Sequence, residues 1–194
     1  MDKLTLLKQY FGHSAFRPGQ EALADALLSG RDALGVMPTG AGKSVCYQLP
    51  ALLLPGLTLV ISPLISLMKD QVEGLNQAGI PAAYINSSLD AEAYRETYRR
   101  IRRGECKLLY VAPERLQAEG FRRLLEELPV SLVAVDEAHC VSQWGQDFRP
   151  SYLLIREFLE KLPARPVVGA FTATATVQVK EDVEKLLGLE APLR

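Results

Sequence analysis

The sequence predicts an α/β fold, a parallel sheet with helices on both faces, and three observations carry that prediction. Short apolar runs recur along the 194 residues. Helix-length amphipathic stretches separate them, the alternation that parallel strands require. Runs such as Leu57-Thr58-Leu59-Val60-Ile61 and Leu132-Val133-Ala134-Val135 are nearly continuous in apolar residues, as strands covered on both faces must be. Glycine-rich, hydroxylic and acidic segments follow the runs, where ligands gather in sheets of this kind.

Residues 4–11 read as a helix stopped by Gly12, and a second helix begins at Pro18, a favoured first-turn residue, and stops at Gly30. The stretch 11–20 between them ends in Gln20. A glutamine amide donates to and accepts from one edge of adenine at once, His13 offers a ring to stack on the base, and Arg17 flanks both. The first strand, residues 33–37, runs into Met37-Pro38-Thr39-Gly40-Ala41-Gly42-Lys43-Ser44, which reads as a phosphate cradle opening a helix at Lys43. Gly40 and Gly42 allow backbone angles at which successive N–H groups face one anion, with Thr39 before them and Ala41 between them, and the helix start adds partial positive charge. Lys43 meets the β/γ-phosphates of a triphosphate, and the Ser44 hydroxyl ligates its magnesium. Met37 stands where the generic motif has its first glycine. Pro50 is expected to kink or interrupt the helix that follows.

Beyond Pro50 the alternation predicts strand 57–61, helix 64–77, strand 82–85, helix 91–103, strand 107–111, a helical stretch 114–128, strand 131–135, helix 152–162, strand 167–171 and helix 177–187. Residues 1–194 read as one domain, with 1–30 as an adenine-reading segment and 31–194 as its core. The strand tips carry the chemistry. After strand 131–135 come Asp136-Glu137-Ala138-His139, where Asp136 holds magnesium together with Ser44 and Glu137 orients or deprotonates water. Ser66 and Lys69 after strand 57–61, Arg115 after strand 107–111, and Thr172 and Thr174 after strand 167–171 supply hydroxyls and cations suited to a sugar-phosphate backbone. The sole tryptophan, Trp144, lies beside Gln146, Phe148 and Arg149 just past the carboxylates, a combination that stacks bases.

Composition narrows the classes. Hydrophobic residues are 48% and charged residues 23%, and no apolar run is long enough to cross a membrane. Cys46, Cys106 and Cys140 have no C-x-x-C spacing, which argues against zinc and for a reducing compartment, and each reads as a small core residue. The net charge of −1 gives no general basic footprint, so nucleic acid must be met by a local surface. Arg95, Arg99, Arg100, Arg102 and Arg103 share one helix without aromatics and read as a solvated face.

Together these segments resemble the first RecA-like lobe of a superfamily 2 DNA helicase of the RecQ family. Residues 11–20 resemble its adenine-reading motif and 37–44 its motif I, which shares the non-glycine first position. Residues 63–72 resemble motif Ia, 112–116 the Ala-Pro-Glu-Arg-Leu segment, 136–139 the DEAH motif II and 172–175 motif III. Ser142-Gln143-Trp144-Gly145-Gln146-Asp147-Phe148-Arg149-Pro150 resembles the aromatic-rich loop that couples strand binding to hydrolysis.

The resemblance implies a P-loop NTPase with a RecA-like fold, ATP and Mg2+ as cofactors, and Lys43, Asp136, Glu137 and His139 as catalytic residues. It also implies 3′-to-5′ unwinding of single-stranded and branched DNA in repair and recombination, and a second lobe with an arginine finger outside this chain. Zinc-binding and accessory domains are expected there as well. The compartment implied is the bacterial cytoplasm, at the nucleoid, or the nucleus of a eukaryote. Gln146 stands where the family usually has histidine and Ala41 where a third glycine is common. Two alternatives are an ATP- or strand-binding module without turnover and a DEAD/DEAH-type RNA helicase lobe; the segment from Trp144 to Arg149 argues against the second.

Overall fold

A computed structural model describes residues 2–38 and 42–194 of the chain; Thr39, Gly40 and Ala41 of the cradle lie outside the described residues. Two helices, α1 (Lys3–Phe11) and α2 (Gln20–Leu28), precede β1 (Ala33–Val36). Then follow α3 (Val45–Leu53), β2 (Leu57–Ile61), α4 (Ile65–Gln77), β3 (Ala82–Ile85), α5 (Ala91–Arg102), β4 (Leu108–Val111), α6 (Glu119–Glu127), β5 (Val130–Val135), α7 (Ile155–Glu160), β6 (Val167–Thr172) and α8 (Val177–Leu187). The six strands form one parallel sheet in the order β1-β6-β5-β2-β4-β3.

Strand alternation sorts the apolar residues into two cores. Leu59, Ile61, Leu109, Val111, Val133 and Val135 face a cluster completed by α5 to α8 through Ile101, Phe121, Phe158 and Val183. Val60, Leu108, Tyr110, Leu132 and Ala134 face the other, covered by α2, α3 and α4 through Leu27, Tyr47 and Met68. Both faces are therefore dry, which is why the strand sequences read as nearly continuous apolar runs. No helix among the described residues is long and apolar enough to cross a membrane.

Several boundaries differ from the sequence reading. The second helix starts at Gln20 rather than Pro18, because Gly19 at φ 86 holds a left-handed turn that a helix starting at Pro18 excludes. The cradle helix starts at Val45, since Lys43 and Ser44 lie in a tight turn whose carbonyls accept i+3 bonds from Cys46 and Tyr47. Pro50 does not interrupt that helix: seven consecutive buried residues, Val45 through Ala51, hold it in place, and the Pro50 carbonyl accepts the closing bond from Leu54 at 2.9 Å. Residues 114–128 are split at Ala118, whose ψ of 127 separates a 3-10 turn, Pro113–Gln117, from α6. Likewise Tyr152 lies in a 3-10 turn, Pro150–Leu154, before α7. Cys46 and Cys140 are buried as expected, whereas Cys106 is half-buried.

Candidate functional site

Because β6 lies between β1 and β5, the turn after β1 and the tip of β5 are separated by about two strand widths, roughly 10 Å. Lys43 bridges that gap. Its Nζ lies 3.2 Å from Asp136 Oδ1 and 3.2 Å from Glu137 Oε1. Asp136 is built in on every side: its N–H donates to the Ile61 carbonyl at 2.9 Å, its carbonyl accepts the Tyr152 hydroxyl at 2.7 Å, and its Oδ1 accepts the Glu137 N–H at 2.9 Å. Burial pushes the Asp136 carboxyl above its ordinary pKa even though Lys43 pulls it down, and Glu137 adds to the rise. Burial also opposes the Lys43 ammonium, but Asp136 and Glu137 outweigh it and raise its pKa. The pair is thus asymmetric. The lysine gains from its partners, while desolvation of the aspartate outweighs what it receives in return.

Glu137 has φ 51 and ψ 44, a left-handed backbone unusual for a side chain of this size and of the kind found at reactive sites. His139 Nδ1 lies 2.7 Å from Thr172 Oγ1 and 3.6 Å from Glu137 Oε2. The Thr172 hydroxyl also lies 3.1 Å from the Thr174 carbonyl, which can accept from it. A chain of polar contacts therefore runs from Glu137 through His139 to the end of β6. Thr172 is fully buried and cannot touch a strand, so its expected backbone contact is corrected to a bond with His139. Thr174 is exposed.

The stretch expected to read adenine meets Gly42 directly. Gln20 is 2% exposed; its Oε1 accepts the Arg17 N–H at 2.7 Å and its Nε2 donates to the Gly42 carbonyl at 2.9 Å. Gly42 has φ 75, a left-handed backbone that favours glycine, and a Cβ there would stand 2.4 Å from Gln20 Nε2 and displace that amide. Gln20 thus ties residues 17–20 to the cradle, a role its residue type did not disclose. His13 and the Arg17 side chain are exposed beside it. Met37 is buried against Cys46, with 3.6 Å between the sulfurs, which accounts for a core side chain where the generic motif has glycine.

The rest of the rim is open. Ser66 and Lys69 are exposed at the start of α4, the lysine 4.0 Å from Glu73. Arg115 is half-buried with its guanidinium 5.5 Å over the Tyr94 ring. Trp144 is 75% exposed, not a buried anchor, and Gln146 beside it is exposed too. Phe148 and Arg149 are half-buried, and Arg149 pairs with Asp147 at 3.0 Å. A cleft of about 420 Å³ joins His139 to Trp144, Gln146 and Thr174. Arg95, Arg99 and Arg102 on α5 and Arg103 just past it are exposed, while Arg100 is half-buried; Arg99 pairs with Glu96 at 2.8 Å.

The turn after β3 also lies on this rim, though no motif in the sequence marks it. There buried Asn86 holds the exposed Ser88 through its N–H at 2.8 Å and its hydroxyl at 2.5 Å, beside exposed Ser87. The strand-tip rule applied to β3 would have found it.

The chain matches the DEAD/DEAH box helicase family over residues 17–183, which takes in Gln20, Lys43, Asp136 to His139 and Thr172. The chain belongs to the DEAD/DEAH box helicase family. Within it, the chain is similar to the ATP-dependent DNA helicase RecQ of Bacillus subtilis, 50% identical over 96% of this chain and 32% of that protein. It is also similar to RecQ of Haemophilus influenzae, 48% identical over 96% of this chain and 30% of that protein. The chain spans about a third of the length of these curated relatives. In fold it resembles the crystal structure of the helicase MrfA bound to DNA and AMPPNP, with a TM-score of 0.76 at 20% identity over all of this chain and 28% of that one. The helicase family thus accounts for a sheet whose rim carries the DEAH carboxylates.

Proposed function

We propose that this chain is the ATP-binding lobe of a RecQ-type DNA helicase that moves 3′ to 5′ along single-stranded DNA and acts on branched DNA in repair and recombination. The observation that carries this is the convergence of Lys43 with Asp136 and Glu137, the lysine and glutamate 94 positions apart, beside an exposed tryptophan loop. In this reading Lys43 meets the β/γ-phosphates, Glu137 orients and deprotonates the attacking water, and His139 with Thr172 couples that glutamate to β6; the short contacts among them support it. In this reading Gly42 lines the phosphates, as the sequence leads one to expect of Thr39, Gly40 and Ala41, and adenine is taken by His13, Arg17 and Gln20, the last by exchanging its bonds to Arg17 and Gly42 for bonds to the base.

Magnesium fits the donor set. Among the described residues no cluster of three or more His, Cys, Asp or Glu stands ready for a metal. Asp136 and Ser44 offer one carboxylate and one hydroxyl, the few hard oxygens that Mg2+ uses alongside water and phosphate. When bound, the ion neutralises charge that develops on the phosphates. In the same reading Ser66, Lys69, Arg115 and Thr174 follow a sugar-phosphate backbone, and Trp144, Gln146, Phe148 and Arg149 stack and sense bases. Burial pushes Cys46 and Cys140 up to about 12, which keeps both as thiols; the bacterial cytoplasm or a nucleus is proposed on the resemblance alone.

An arginine from a facing lobe is worth about 10³–10⁵ in rate in this chemistry. Residues 1–194 alone are therefore expected to bind ATP–magnesium weakly, to hydrolyse it negligibly and not to unwind DNA, whereas the longer protein shows DNA-stimulated hydrolysis. A malachite-green phosphate assay on both tests this. Helicase-level turnover by residues 1–194, abolished by Lys43→Ala, would overturn it and place the completing arginine within this chain.

A further inference from the structure

To report a strand to Glu137, the tryptophan loop must be held in one place. Only turns and bends lie between the 3-10 helices Ala138–Val141 and Pro150–Leu154. The loop's stem is closed by Arg149 N–H to the Cys140 carbonyl at 2.9 Å and by Ser142 N–H to the His139 carbonyl at 3.0 Å. Trp144 itself is held by one further bond, its N–H donating to Ser142 Oγ at 3.1 Å. Ser142 is fully buried, and its hydroxyl hydrogen goes to Asp182 Oδ2 on α8 at 2.7 Å. The other oxygen of Asp182 accepts Gln178 Nε2 at 3.1 Å, so the carboxylate is itself oriented. Gly145 completes the fit, since a Cβ there would come within 3.0 Å of the His139 carbonyl and 3.5 Å of Val179 on α8.

We propose that Asp182 is a positioning residue for strand sensing, acting on Trp144 through Ser142; this rests on the reading of Trp144 as a strand contact. A serine hydroxyl rotates freely and can offer its hydrogen in any staggered direction. A charged acceptor at 2.7 Å fixes that hydrogen and leaves a lone pair for the Trp144 N–H. The backbone that carries the indole is then held in place while the ring itself stays exposed. The same tie joins the loop to α8, which follows β6, and β6 bonds His139 through Thr172. Displacing Trp144 therefore pulls on the segment that reaches Glu137 by two routes: the stem at His139 and Cys140, and the β6–α8 unit.

Trp144 is the sole tryptophan of the chain, so intrinsic fluorescence reports this loop alone. Anisotropy and acrylamide quenching without DNA, and quenching by single-stranded oligothymidylate, are compared in wild type, Asp182→Ala, Asp182→Asn, Ser142→Ala and the Ser142→Ala/Asp182→Ala double variant. Asp182→Ala and Ser142→Ala are each expected to lower Trp144 anisotropy and to weaken oligothymidylate binding about tenfold, with circular dichroism unchanged. The double variant is expected to lose no more than either single one, because both cut the same tie. Asp182→Asn keeps an oxygen acceptor and should stand near wild type; if Asp182→Ala does not fold, Asp182→Asn against Ser142→Ala makes the same comparison. Unchanged anisotropy in folded Ala variants, or additive losses in the double, would overturn the proposal. Should wild type show no quenching by oligothymidylate while the Ala variants still lose anisotropy, the strand reading fails and the anchor stands.

Discussion

On the β1-β6-β5 half of the sheet's rim, Lys43, Asp136, Glu137, His139 and Thr172 are buried or half-buried and bonded to one another; on the β2-β4-β3 half, Ser66, Lys69, Ser87 and Ser88 stand in solvent. The difference matches two kinds of ligand. A nucleotide's phosphates come in one fixed arrangement, and a set of charges oriented beforehand stabilises charge developing there without reorganising. A nucleic-acid backbone slides past and must be met regardless of sequence, for which exposed cations and hydroxyls suffice. Trp144 sits between these regimes, 75% exposed but with its backbone tied to the buried Ser142.

The sharpest way to break this contrast is to remove one group from the committed half. Glu137→Gln in the full-length protein is expected to lower single-turnover hydrolysis by about 10²–10⁴-fold with ATP–magnesium affinity nearly kept, because the amide cannot take a proton. Undiminished turnover would remove Glu137 from that role. Gln20→Ala should cut the preference for ATP over GTP about tenfold, from a bidentate contact worth roughly 1–3 kcal/mol. Competition binding of the two nucleotides decides this, and equal preference in wild type and variant would mean that Gln20 serves only as the clasp on Gly42.

On the open side, Trp144→Ala should weaken strand binding by about 1–3 kcal/mol without lowering the melting temperature, since an exposed indole supports no core. A fall in both would mean that the loop is structural.

A smaller effect tests how far the committed half is strained. Burial raises the Asp136 pKa, so the carboxylate's contribution to stability is greatest below its unfolded value of 3.8 and is lost as pH rises through the folded value. Asp136→Asn avoids that loss, and Lys43 keeps Glu137 at 3.2 Å. The variant is expected to melt higher than wild type at neutral pH, by on the order of 1 kcal/mol or about 2–4 °C. The gap should close as pH falls below 3.8. A lower melting temperature at neutral pH would show that the ion pair with Lys43 outweighs desolvation.

What could be read from the sequence follows the same division. Strands covered on both faces announce themselves as apolar runs, and the chemistry at Lys43, Asp136 and Glu137 demands those residue types just past strands. Helix starts were harder to place, because Gly19 and Ala118 set local backbone angles that no periodicity reveals. Supporting residues were hidden for another reason. Tyr152 grips Asp136 from 16 positions away and Asp182 grips Ser142 from 40, and neither has a neighbour in sequence that hints at its partner. Thr172 was placed at the right strand tip but assigned outward, since a threonine there reads the same whether it meets solvent or His139.

The account's central claim, that one rim carries two separable sites, is tested most directly by a crossed titration of folded variants with ATP–magnesium and with oligothymidylate. Lys43→Ala is expected to lose nucleotide binding and keep the strand. A Lys69→Ala/Arg115→Ala double variant should do the reverse, with a shallower salt dependence of strand binding by about one to two in slope. Loss of both ligands to the same degree in either variant, with the fold intact, would contradict the division.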